Sequence, residues 1–160
     1  MKNELKIQNK DNPTVSNFET VENYFHEKQE YWNSRIKELN SLMNTLPDLM
    51  KFMNQIYSVR QEAVEYYHDI LQVSARQTEN YKKRYAECYN RIKVNSQIRY
   101  TTESAINNQI ENELSPLKET IDLINNHAKY MDNTIRTIDD MIYGIKYRID
   151  INKLINKVEF

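Results

Sequence analysis

Glycine occurs once and proline three times in 160 residues. That is too few turn formers for sheets closed by hairpins, so the chain is expected to be all-α. The single cysteine, Cys88, excludes an internal disulfide framework and suits a reducing cytoplasm, where a lone thiol is usually a small buried group. No apolar run approaches about eighteen residues, and the opening MKNELKIQNKDNP has no apolar signal core. Neither membrane insertion nor secretion is therefore expected. Catalytic constellations are equally scarce. His26, His68 and His127 fall on different predicted helices, and Glu65-x-x-His68 is only half of the pair of motifs that a di-iron bundle requires. There is no glycine-rich phosphate loop, no Cys/His cluster at zinc spacing and no Ser/His/Asp set, while the adjacent Asp139 and Asp140 point in different directions on a helix. No enzymatic activity, metal or cofactor is expected.

What the chain has is helical periodicity. Apolar residues make up 39 % and charged residues 28 %, proportions that suit elongated helices better than a globular core. From Leu114 to Ile149 the apolar positions alternate three and four apart: Leu114, Leu117, Ile121, Ile124, Ala128, Met131, Ile135, Ile138, Ile142, Ile145, Ile149. With Leu114 at heptad position a, both a and d are mostly isoleucine, which disfavours two-stranded pairing and favours three or more packed helices. The expectation is an elongated helical bundle with a long heptad-patterned C-terminal helix, self-associating through Ile135, Ile138, Ile142, Ile145 and Ile149.

Residues 1–15 are polar and unpatterned and read as a flexible arm, followed by one helical domain over 16–160. Ser16 and Glu19 form a capping box for a helix over 16–44 whose apolar face is Phe18, Val21, Phe25, Trp32, Ile36, Leu39 and Met43. Thr45 and Pro47 suit the cap and first turn of a helix over 47–89, with a stripe of Met53, Ile56, Tyr57, Val64, Tyr67, Ile70 and Leu71 that thins afterwards. Periodicity fails over 90–101, which reads as a loop. Thr101 or Thr102 then caps a helix over 102–114, which Pro116 should kink or split from a last helix over 116–157, about 60 Å long. Gly144 costs about 1 kcal/mol relative to alanine there and suggests a close helix approach.

The net charge of −1 conceals an asymmetry. Between residues 81 and 99, Lys82, Lys83, Arg84, Arg91, Lys93 and Arg99 face Glu87 alone, an excess suited to a polyanion although also compatible with a solvated face. Tyr81, Tyr85 and Tyr89 repeat every four residues beside those cations and share one helix face. Cations that follow a phosphate backbone and rings that stack bases are what single-stranded nucleic acid needs. The other reading is that the tyrosines pack the bundle and leave only the charges outside.

Lys82-Lys83-Arg84 with Tyr89, the polar stretch 90–98, Arg99-Tyr100 with Glu103, and the isoleucine-rich helix through Ile149 together resemble the UvsY family of phage recombination mediators. Ile56-Tyr57-Ser58 is similar to the family's start of the first of these helices, and the likeness spans about residues 50–150. The resemblance implies a ring-like homo-oligomer in the host bacterial cytoplasm that binds single-stranded DNA. Such a protein helps a recombinase replace the single-strand-binding protein, with Lys82 and Arg84 on the DNA and the C-terminal helix driving self-association. The basic segment extends that DNA site to Lys83, Tyr85, Tyr89, Arg91, Lys93 and Arg99. A different class fits the seam equally well: a coiled-coil structural adaptor or chaperone that does not bind DNA.

Overall fold

The structure, a computed structural model, describes residues 15–43, 46–95 and 102–158. Three helices account for them: α1 (Val15–Ser41), α2 (Leu46–Asn95) and α3 (Glu103–Val158), with no strand among the described residues. The expected arm over 1–15 lies outside the described residues apart from Val15, which already belongs to α1, as does Ser16. Thr45 also lies outside. α2 continues to Asn95, so the segment 90–95, expected as loop, is helical, and 96–101 lies outside the described residues. At the start of α3 the cap falls on Thr102, whose Oγ1 accepts from the Ala105 amide at 3.3 Å.

Pro116 does not split α3, which runs unbroken for 56 residues, about 84 Å at the helical rise. The bond that proline removes would have reached the carbonyl of Asn112, and Asn112 and Pro116 are both exposed, so water can take its place.

Cross-helix pairs define the topology. Arg60 meets Asp139 and Tyr85 meets Asn107, so α2 and α3 run antiparallel. Phe25 stacks on His127 and Arg148 Nη1 donates to the Met43 carbonyl at 2.7 Å, so α1 runs parallel to α3. Because α1 has only 27 residues, it covers about half of the α2–α3 hairpin. The molecule is thus a three-helix body with a two-helix arm, and each part has its own core.

In the body the buried residues recur three and four apart on α2 and α3: Phe52, Ile56, Val59, Ala63 and Ile70 on α2, and Ile124, Ala128, Met131, Ile138, Ile142 and Ile145 on α3. Val21, Phe25, Trp32 and Leu39 of α1 close the third side as its periodicity indicates. On α2 the buried register is rotated from the expected one: Tyr57 and Leu71 are exposed, and Phe52, Val59 and Ala63 take the interior.

The α3 seam is consumed inside the protomer. Ile138 and Ile145 are fully buried, Ile142 is buried and Ile135 packs against the same core, so these four are not a free oligomerisation face. Only Ile149, 38 % exposed, stands at its edge. The isoleucine-rich pattern finds its three packed helices within one chain. Around and beyond it, Tyr143, Tyr147, Ile151, Leu154 and Ile155 are exposed.

Gly144 marks no close approach, since a Cβ built there meets nothing within 4 Å. Gly144→Ala is therefore expected to stabilise the protein by about 1 kcal/mol, the gain of alanine over glycine in an open helix interior. That corresponds to a rise of about 3 °C in the melting midpoint by circular dichroism.

Candidate nucleic-acid interface

The arm is held by a small core of Cys88, Ile106, Ile110 and Leu114, against which Tyr81, Tyr85, Tyr89 and Ile92 pack. The four-residue repeat of the tyrosines puts them on one face, and that face turns toward α3. The rings of Tyr81 and Tyr85 lie 6.3 Å apart, and all three tyrosines are half-buried. The Tyr85 hydroxyl donates to Asn107 Oδ1 at 2.9 Å and the Tyr89 hydroxyl to Glu103 Oε1 at 2.8 Å. These half-buried rings pack the arm's own core. With one aromatic row on α2 and short aliphatics on α3, burying the rings is the way a two-helix hairpin obtains a core.

The cations divide. Arg91 donates to Glu113 Oε1 at 2.6 Å, and that hydrogen bond, with one from the Cys88 thiol, holds the Glu113 carboxyl below its usual range. Burial, then the hydrogen bond to Glu113, pushes the Cys88 thiol up, which leaves it a neutral packing group. Lys93 lies over the Tyr89 ring at 5.2 Å, with its ammonium 3.3 Å from the hydroxyl. Lys83 pairs with Glu79 at 3.7 Å, both side chains well exposed. Lys82 and Arg84 have no ion pair among the described residues, and Arg99 lies outside them.

Two features were hidden from the one-dimensional charge count. α3 returns Glu113 to Arg91 and Glu103 to the Tyr89 hydroxyl, and on α2 Glu79 pairs with Lys83, so carboxylates offset part of the arm's positive charge. Lys82 and Arg84, two residues apart, also leave the helix about 200° apart and lie on opposite flanks. The compact exposed cluster is therefore Lys82 with Lys83, with Arg84 half-buried at the other flank.

No group of three or more His, Cys, Asp or Glu that could hold a metal occurs among the described residues. Nor is any of their helices long and apolar enough to cross a membrane. His127, unremarked in the sequence beyond its isolation, is a strongly perturbed titratable group of the body. It is 2 % exposed, stacked on Phe25 at 4.1 Å, with Nε2 3.1 Å from the Tyr66 hydroxyl and Nδ1 without a partner. Burial, and then the charge of Lys28, pushes its pKa down to about 4. No family model, no curated protein and no solved structure matches this chain.

Proposed function

We propose that the protein is a non-enzymatic, self-associating binder of single-stranded DNA. In this reading it acts as a recombination mediator of the UvsY type, assisting recombinase loading and displacement of the single-strand-binding protein. The observation that carries the reading is the exposed pair Lys82 and Lys83, with Arg84 half-buried on the opposite flank, on an arm that projects beyond the three-helix body and within which Arg91 and Lys93 are engaged. Contact is to phosphate rather than to bases, because the tyrosines that would stack bases pack the arm's own core. Self-association through α3 uses the exposed stripe of Tyr147, Ile151 and Leu154 past the body core, as the seam isoleucines are spent within the protomer. A ring of such protomers multiplies weak sites through effective concentration.

The test is a salt titration with a labelled single-stranded oligonucleotide. Three neutralised phosphates correspond to a slope of log affinity against log salt near about −2. Lys82→Ala with Arg84→Ala should flatten it toward that of a single contact. Equal binding by the double variant removes this segment as the DNA site.

A second reading, a structural adaptor that binds protein and not DNA, is favoured by a different observation. Carboxylates offset part of the arm's positive charge, with Glu113 of α3 taking Arg91 and Glu79 pairing with Lys83. Absence of binding by the unmodified protein at low salt selects it.

A further inference from the structure

On the body, away from the arm, α1 and α2 enclose a groove of about 600 Å³ that already holds a cation. The ammonium of Lys28 lies 5.5 Å from the ring centre of Tyr24, 5.9 Å from that of Tyr31 and 5.6 Å from that of Tyr66. Lys28 makes no ion pair among the described residues, although Glu62, Glu65 and Asp69 line the same groove. The charge is met by three π faces, the arrangement that recognises ammonium groups.

Two of the three ring walls are fixed independently of Lys28. The Tyr31 hydroxyl donates to Glu62 at 2.7 Å, and Tyr66 is anchored to His127 behind it. Glu65 and Asp69, four residues apart on one face of α2, have no cationic partner among the described residues.

We propose that this groove is a docking site for a lysine side chain of a basic protein segment, with Lys28 as the internal occupant that the incoming lysine displaces. The rings accept the ammonium, and Glu65 and Asp69 at the rim take the neighbouring cations of the same segment. A polyanion is the wrong partner for three carboxylates, so the site is distinct from the basic arm and does not rest on the DNA-binding reading. Lys28 is half-buried on a flexible stem and can leave without disturbing the core. While it stays, it lowers apparent affinity by the fraction of time that the cage is filled.

The experiment uses the full chain and a hexalysine peptide, followed by calorimetry and by the fluorescence of Trp32, the only tryptophan, which lines the groove. Lys28→Met, which keeps the stem and removes the charge, is expected to bind about fivefold more tightly. Tyr24→Leu with Tyr31→Leu, at unchanged charge, is expected to bind about tenfold more weakly. Tyr31→Phe, which keeps the ring, should retain binding and guards against a folding defect in the double variant, with melting curves recorded for all. Hexalysine binding that is indifferent to loss of the two rings would reduce the contact to surface charge and overturn the proposal. So would a Lys28→Met variant that binds no more tightly than the unmodified protein, or Trp32 fluorescence that responds to an oligonucleotide and not to hexalysine.

Discussion

Ile138→Asp is expected to abolish the cooperative thermal transition, whereas Leu154→Asp should leave it nearly unchanged. Both replace an aliphatic residue of α3 by a carboxylate, but Ile138 is fully buried in the three-helix core and Leu154 is 64 % exposed past its end. Removing a buried isoleucine and leaving an unpaired polar group in its place costs about 4 kcal/mol or more, a large share of the stability of a domain this size. An open surface substitution stays within about 0.5 kcal/mol. Circular dichroism melts separate the two, and light scattering adds the second half of the result. If α3 self-associates through the stripe beyond the core, Leu154→Asp lowers the particle mass while keeping the fold. A well-folded Ile138→Asp protein of reduced mass would instead place that isoleucine between protomers.

His127 is expected to make the fold acid-sensitive. The imidazole stacks with Phe25 and with Tyr130, and no carboxylate among the described residues meets it. Its pKa is held near about 4, by burial first and by Lys28 second, against the ordinary value of 6.5. The folded state therefore resists a proton that the unfolded chain accepts. This contribution to stability is complete above pH 6.5 and is lost as the pH falls toward 4, with a total of about 3 kcal/mol across the window. Chemical denaturation at intervals between pH 7 and pH 4 measures it. His127→Phe, which keeps the ring stack and cannot take the proton, should flatten the curve over that range, apart from the loss contributed by carboxylates such as Glu113. A directly titrated His127 pKa near 6.5 would refute this account.

Both effects arise in the body, where periodicity made much of the fold readable. Val21, Phe25, Trp32 and Leu39 in α1 and Ile124, Met131, Ile138 and Ile145 in α3 are buried as their three-and-four spacing indicates. On α2 the reading slipped because tyrosines and aliphatics occupy more than one face. Tyr57 and Leu71 fit an interior stripe by spacing yet are exposed, while the small Ala63, with little apolar weight of its own, holds a fully buried position. Pro116 and the 90–95 segment misled for a related reason. Local propensity argues for a break at each, but a proline on the exposed side of a helix costs little when the packed side continues, and Ile92 anchors the last turns of α2 to the arm's core. The tyrosine cage around Lys28 was written in α1 as Tyr24, Lys28 and Tyr31, one helical turn apart, yet its third wall, Tyr66, comes from α2.

The sequence by itself determined the helical class, the two helix faces of the body core and the concentration of positive charge between residues 81 and 99, all of which are properties of neighbours along one helix. Tertiary structure decided what those features face. It turned the isoleucine seam inward by bringing α1 and α2 over it, packed Tyr81, Tyr85 and Tyr89 half-buried against α3, and set Glu113 on Arg91, since burial and charge compensation depend on residues that helix pairing, not chain order, makes adjacent.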